Sequence, residues 1–571
     1  MSDEGGKSAK MAGTRLTVAR YGVLALLALA LFTPGFFTLP PFDRDEARFA
    51  QASRQMLESG DFVDIRFQDE ARHKKPVGIY WLQTAAVAAT GHGPNDGAIW
   101  PYRLPSLAAA VAGVLLTAWV GQILFGAEVG LMAGLMIAGC VVLGVEARLA
   151  KTDATLFALI VLAQAVLARL YLATRASASA TGAGKTAAPG RLIWLFWVAQ
   201  GLAILIKGPI APLVSGATVL ALAVADRDGW RLNWGWLKPL RPLAGLAVIV
   251  AIAAPWLIAI TLQTKGAFFA ESVGHDLLGK IASGQESKGL PPGFHLAVFW
   301  FTFAPFSFLA LLAVPWVWRQ RREPAVRFCL AWMIPSWLVF EAVPTKLLHY
   351  TLPLLPAVAM LAAAALIQAA EAGRRSGTKL FAGAAVSAVL GLGLLAGGLA
   401  ALPWLLDQRF DGVAVAAAVV VLACLVQALR ETRRLRPWPA LAAALAAAAV
   451  LHVVTWADTL PSVEGLWVSR QAAAAVAAHR PCPGTVVASG GYTEPSLVFL
   501  LGTATRLGSG ALAASHVRAD PACALALVEA REETLFRATL ADTPVTPLAT
   551  FSGFNYSRGR KVALTLYAVS R

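Results

Sequence analysis

From residue 21 to residue 456 the chain alternates long apolar runs with short polar breaks. Runs of about 17–25 apolar residues, long enough to cross a hydrocarbon layer, fall at about 21–39, 104–124, 128–147, 154–173, 191–207, 209–225, 242–262, 294–318, 326–343, 350–370, 379–402, 413–430 and 438–456. A shorter run, VGIYWLQTAAVAATG, covers 77–91. After about 457 the pattern changes. GTVVAS and KVALTLYAV alternate as strands do, while VSRQAAAAVAAHR and PACALALVEAREETLFRATL carry helical spacing. The expected architecture is an all-α polytopic membrane domain over 21–456 followed by a small α/β domain over 457–571.

Charge fixes the sidedness. Lys and Arg number 49 against 33 Asp and Glu, a formal net charge of +16, yet only 14% of residues are charged, well under the roughly 25% of soluble proteins. Mean hydropathy is +0.62. The basic residues gather before residue 21 and at 175–191, 226–241, 319–327, 371–379 and 430–436, and such clusters favour the cytoplasmic side. From 175–191 onward, two runs separate each basic loop from the next, so the sides agree. Before it, five runs would break the agreement if 77–91 crossed. Reading 77–91 as a helix lying in the interface restores it and leaves thirteen spans. Residues 1–20 are then cytoplasmic. The loops 40–103 and 263–293 and the 457–571 domain share the opposite face. The first run follows Lys7, Lys10, Arg15 and Arg20 without a small-residue cleavage site, which reads as an uncleaved anchor. No basic stripe with interleaved aromatics suggests nucleic acid; anionic lipid or phosphate partners stay open.

That outer face collects ionisable residues. In PPFDRDEARFAQASRQML (40–57), Asp45 and Glu46 precede apolar Phe49, Ala52, Met56 and Leu57. This is either an interfacial helix whose acids suit its dipole or the rim of a site. RHKKPVGIYW brings Arg72, His73, Lys74 and Lys75 to Pro76, as lipid-headgroup anchors or as an anion-binding group. In EARLAKTDATLF, Asp153 either caps the next helix or joins Asp45. His275 in the 263–293 loop is a structural histidine or a ligand. Lys207, and Lys346 with His349 and Tyr350 in PTKLLHYTLP, stand at span mouths on the same face, as anchors or as phosphate contacts. Two aspartates, several cations and the aromatic Tyr80 and Trp81 at one surface suit a lipid-linked phosphate substrate. Cys482 and Cys523 lie in the polar tail; outside the cytoplasm they form a disulfide or remain two buried thiols.

DEARFAQASRQMLESGDF, KKPVGIYWLQ, RLPS, EARLAKTDATLF, LIKGP, ESVGHDLLGKIASGQESKGLPPG and PTKLLHYTLPLLPA together resemble the bacterial glycosyltransferase family that includes the lipid A aminoarabinose transferases. That family shares the C-type glycosyltransferase architecture with the protein O-mannosyltransferases. The resemblance runs in order through most of 40–360. It implies a bacterial inner-membrane enzyme whose active site faces the periplasm. The enzyme would move a sugar from a polyprenyl-phosphate donor, such as undecaprenyl phosphate, to lipid A, another envelope glycan or a protein. A transporter or flippase for a lipid-linked sugar is the alternative from a different class. By the same resemblance Asp45 and Asp153 are the catalytic aspartates, Arg48 and Lys75 meet the donor phosphate, and Tyr350 lies by the lipid carrier. From their placement on the same face, Lys346 is a further candidate for the phosphate, and Tyr80 and His349 for the carrier or acceptor. The family pattern EKP, whose glutamate takes part in a metal site, reads KKP here. Lys74 thus stands where a ligand would, which puts a divalent metal in doubt and leaves His275 as the remaining candidate ligand.

Overall fold

The computed structural model describes residues 16–179, 190–279 and 289–570; the basic residues before 16, most of 175–191 and the Gly/Ser-rich end of 263–293 lie outside them. Among the described residues nine helices are long and apolar enough to span a membrane. Phe294–Thr302 and Ser307–Gln320 form a further pair bent by 118° across a segment that holds Pro305. Three shorter apolar helices, Val18–Phe32, Ala127–Gly139 and Ile210–Ala225, complete the set. Each coincides with one of the apolar runs.

Two further runs are interrupted. The first ends as helix at Phe32 and continues through turns to Leu39, because Pro34 and Gly35 follow at once and Gly35 takes a positive φ of 73° against the Trp456 carbonyl. The run 128–147 divides at Cys140 into Ala127–Gly139 and Val141–Glu146. The 77–91 run forms only the twelve-residue helix Gly78–Ala89. At about 1.5 Å per residue that is roughly 18 Å, short of the ~30 Å hydrocarbon core.

Leu352–Glu371 is the most enclosed span, 89% buried, and Asp153–Arg175 follows at 72%, whereas Pro242–Thr264 is 22% buried. The first two therefore form the centre of the bundle. Peripheral helices turn Leu246, Leu262, Leu390, Leu394 and Val419 outward, as a lipid-facing surface requires. The protein is a multi-pass membrane protein.

The C-terminal region is built on a five-stranded sheet in the order Arg506–Gly508, Val487–Gly490, Leu525–Glu529, Arg560–Val569, Val545–Asn555. The first three strands are parallel and the last two join antiparallel. Here PACALALVEAREETLFRATL departs from the expected helix: Leu525–Glu529 is a strand, and only Glu533–Leu540 is α-helix. The strand is buried on both faces. Leu525 and Leu527 meet Leu564 and Leu566, while Ala526 and Val528 meet Val517 and Phe536. A strand covered on both sides reads as a continuous apolar run, which periodicity cannot tell from a helix. Cys482 and Cys523 are joined as a disulfide with Cα atoms 5.5 Å apart.

Candidate active site

The first-loop helix, Asp45–Ser59, has two working faces. Asp45, Arg48 and Phe49, at helical spacing, face a cavity of about 100 Å³ at one end of the bundle. Gln51, Arg54 and Glu58 face the tail domain: Gln51 and Glu58 bond the Thr503 hydroxyl, and Arg54 donates to the Phe499 carbonyl at 2.9 Å. Gly60 stops the helix with a φ of 71°, the left-handed closing position that favours glycine.

Acids beside Asp45 hold this helix in place. Glu46 is buried and takes two charge-assisted bonds from Arg103, at 2.8 and 2.9 Å. It also accepts the Phe42 N–H at 2.8 Å and the Ala150 N–H at 2.9 Å. One carboxylate thus ties the first-loop helix to the Trp100–Phe125 helix and to the 147–153 loop. Asp43 accepts the Ser496 N–H at 3.0 Å across 453 residues. Burial pushes the Asp43 carboxyl up to about 7, against the bond from Ser496 and with the help of nearby Glu494. Neither acid serves only the start of its own helix.

The cavity is lined by Asp45, Arg48, Phe49, Arg72, Lys74, Lys75, Lys151, Thr152, Asp153, Lys207, Asp276, Thr345, Leu347, His349 and Tyr350. Six cations thus face three carboxylates. Lys75 donates to Asp276 at 2.6 Å. Lys207 donates to Asp153 at 2.5 Å and lies 5.5 Å over the Tyr350 ring. It reaches the site because Gly78 packs against the Leu205 carbonyl, where a Cβ would come within 2.8 Å. This brings KKPVG onto the helix that ends at Lys207. Arg72 lies 5.1 Å over Phe49.

Behind this wall Lys151 donates to Glu146 at 3.0 Å and stands 3.9 Å from Asp153. Burial opposes the Lys151 charge, but Glu146 and Asp153 hold its ammonium above the usual lysine range. His349 bridges the two acids, 3.4 Å from Glu146 and 3.3 Å from Asp153. Burial drops its pKa to about 3 in spite of Asp153, so at neutral pH the imidazole is uncharged.

Of the residues singled out in the sequence, Asp45, Arg48, Lys75, Asp153, His349 and Tyr350 converge on this cavity, joined by Lys207. Three do not line it. Lys346 is buried and donates to the Glu341 and Val343 carbonyls at 2.8 and 2.5 Å, closing its own turn. Tyr80 is fully buried, 5.4 Å from Phe49, as packing beneath the cavity wall. His275 is exposed, and its neighbour Asp276 faces the cavity instead. Sequence reasoning gave no role to Glu146 or to Asp276, which it saw only as one of the charged residues of the 263–293 loop. Glu146 had one usable signal, an ionisable side chain closing an apolar run.

Three comparisons bear on the chain. A family model described as Dolichyl-phosphate-mannose-protein mannosyltransferase matches residues 22–270. The undecaprenyl phosphate-alpha-4-amino-4-deoxy-L-arabinose arabinosyl transferase of Pectobacterium carotovorum is 27% identical over 410 residues, 70% of this chain and 68% of that protein. The Pseudomonas paraeruginosa protein of the same name is 26% identical over 350 residues, and the match spans 59% of its length. The crystal structure of ArnT from Cupriavidus metallidurans bound to undecaprenyl phosphate superposes with a TM-score of 0.70 at 20% identity, covering 96% of this chain and 97% of that one. The Archaeoglobus fulgidus oligosaccharyltransferase gives a TM-score of 0.52 at 12% identity, over 97% of this chain and 74% of that one. The family resemblance carried by the motifs is thus met in sequence, and the fold is that of the ArnT structure.

Proposed function

We propose that this chain, a relative of the undecaprenyl-phosphate aminoarabinose transferases in sequence and of ArnT in fold, is a membrane glycosyltransferase that moves a sugar from a polyprenyl-phosphate donor to an envelope acceptor. The observation that carries the reading is the cavity with six cations against three carboxylates. Such an excess suits a phosphate leaving group, whose departing charge it stabilises. The relatives' printed donor is undecaprenyl phosphate linked to aminoarabinose. Here the acceptor is lipid A or another periplasmic glycan or protein.

In the reaction the bond between the anomeric carbon and the phosphate oxygen breaks, the phosphate keeps the electron pair, and an acceptor oxygen bonds to the same carbon. Arg48 and Lys75 meet the phosphate; Lys75 then shares its ammonium between Asp276 and the ligand. Asp45 takes the proton of an acceptor hydroxyl, or only orients an acceptor that is already a phosphate. Asp153, held by Lys207, Lys151 and His349, is a positioning residue that fixes the cations around it. An aromatic groove lined by Phe299, Trp300, Trp318 and Trp337, of about 600 Å³, is suited to the isoprenoid chain.

The family's metal-ligand pattern is not reproduced at position 74, which leaves a divalent metal in doubt. Position 74 is a lysine and His275 is exposed away from the cavity. Glu146, Asp153 and His349 do bring ligand atoms within 4.8 Å of one another. Lysine ammonium groups engage Glu146 Oε1 and Asp153 Oδ1, while Glu146 Oε2 is buried without a hydrogen-bond partner among the described residues. The reaction steps are assigned to side chains alone.

The nine long helices, the bent pair counted once and the three shorter helices are compatible with thirteen spans of a bacterial inner membrane. With residues 1–20 cytoplasmic, the 40–103 and 263–293 loops and the 457–571 domain lie in the periplasm, where the disulfide suits an oxidising compartment. The charges stand at one end of the bundle rather than at its middle, where transporters bind, and this weighs against the flippase alternative. The test is Asp45→Asn in membranes supplied with the donor lipid, followed by mass spectrometry of lipid A and envelope glycans. Loss of transfer with donor still bound is expected; turnover at the native rate refutes the assignment.

A further inference from the structure

A second, larger cavity lies at the opposite end of the bundle. The central helix Leu355–Glu371 carries His349 and Tyr350 just before its first residue and Arg374 and Arg375 just after its last. Its seventeen residues span about 25 Å, close to the depth of the hydrocarbon layer. Between this helix, Ser307–Gln320 and the start of Thr378–Asp407 is a cavity of about 670 Å³.

The mouth of this cavity is strongly basic: Arg319, Arg374, Arg375 and Arg433 all line it. Arg433 is fixed, donating to the Ser376 carbonyl at 2.8 Å and lying 5.0 Å over the Phe381 ring. The nearest acid in sequence, Glu431, is drawn to Arg434 and Arg436 instead. Among the described residues no ion pair neutralises the four arginines of the mouth. Toward the bilayer the lining becomes aliphatic, with Leu309, Ala362 and Leu366 buried along it. The positive-inside tendency explains basic loops, but it does not require a cavity that joins four uncompensated guanidinium groups to an apolar floor.

We propose that this cavity binds an anionic phospholipid of the leaflet opposite the active site, its phosphate among the arginines and its acyl chains along the aliphatic floor. Arginine holds phosphate oxygens through paired N–H donors, and basic pockets between helices on the cytoplasmic side suit such headgroups. The length of the central helix separates this lipid from the sugar-transfer cavity, so the inference stands apart from the proposed reaction.

The experiment uses the full chain purified in a neutral detergent and titrated with cardiolipin, phosphatidylethanolamine or inorganic phosphate, with lipid adducts counted by native mass spectrometry. The triple variant R319Q/R374Q/R375Q removes exposed arginines that no carboxylate holds, and its thermal melt reports whether the fold is kept. Cardiolipin should bind the native chain and bind the variant at least about tenfold more weakly, since three basic groups that would meet its phosphates are lost. Phosphatidylethanolamine should bind both weakly, and phosphate should not displace cardiolipin. Equal cardiolipin binding by the two chains overturns the proposal. So does equal binding of the zwitterionic lipid, or displacement by phosphate alone, which would make the mouth a simple anion site.

Discussion

Replacing Arg103 with methionine should damage the enzyme without touching a single group that faces the cavity. All five guanidinium N–H groups are used: two bonds to Glu46 at 2.8 and 2.9 Å, and three to the carbonyls of Phe36, Leu39 and Pro40 at 3.1, 3.0 and 2.9 Å. Arg103 and Glu46 are 0% and 1% exposed, so water cannot take the place of a lost partner. Removing one member of a buried ion pair costs about 3–5 kcal/mol, chiefly because the other charge stays buried and unpaired. The backbone N–H groups of Phe42 and Ala150 still bond Glu46 in R103M, but the Phe36, Leu39 and Pro40 carbonyls lose their donor, so the cost is not below that range. E46Q should cost a similar amount, since it strands the guanidinium but leaves its three carbonyl bonds.

Thermal melting in detergent, followed by tryptophan fluorescence, measures the effect. Each kcal/mol corresponds to about 2–4 °C in a domain of 150–250 residues, so each single variant should melt at least about 6 °C lower. The apolar double variant E46L/R103M should recover part of the loss, because replacing both members of a buried pair is often neutral. Transfer activity should not recover with it: Glu46 sets the 147–153 loop through the Ala150 N–H, and Lys151 and Asp153 lie just beyond. If either single variant melts within about 2 °C of the native chain, or if the double variant shows the plain sum of the single losses, the pair does not clamp the first-loop helix.

Lys207→Met leaves Asp153 without its shortest partner and should lower kcat by an order of magnitude or more with a smaller change in donor KM, while Lys207→Arg restores part of the rate; an unchanged kcat refutes the positioning role. Asp43, its carboxyl pushed up to about 7 by burial, binds a proton in the folded chain at pH values where the unfolded chain, at its ordinary 3.8, has lost it. Stability should therefore fall as pH rises from about 4 to about 7 and level off above that; Asp43→Asn flattens this trend in melts recorded across the window, and an unaltered slope assigns the trend to other groups. The Cys482–Cys523 bridge closes 41 residues of sequence separation, which chain entropy values at up to about 4 kcal/mol. C482S/C523S should thus sensitise the tail domain to protease, as reductant does in the native chain, and equal resistance in both would remove the bridge from the tail's stability.

The spans were legible because lipid imposes a length and a composition that only apolar helices meet, and each predicted run does hold a helix. The cavity was legible in part, because Asp153 and Tyr350 stand at span ends or in short connections, whereas Asp45 and Lys75 come from the long 40–103 loop and were picked out by the family motif instead. What escaped was pairing. Glu46 and Arg103 lie 57 residues apart, and nothing local in DEARF or YRLPS says that the second acid turns inward while the first turns to the cavity; that choice is made by the helix phase and by three carbonyls with no other donor. Lys346 shows the reverse error. Its neighbours His349 and Tyr350 reach the cavity, but the helix end at Glu341–Val343 leaves two carbonyls that its ammonium satisfies, and a buried carbonyl left unsatisfied costs more than a typical hydrogen bond gains. A charge near a site is a site residue only when the local backbone has no prior demand on it, and that demand becomes visible only once the chain is folded.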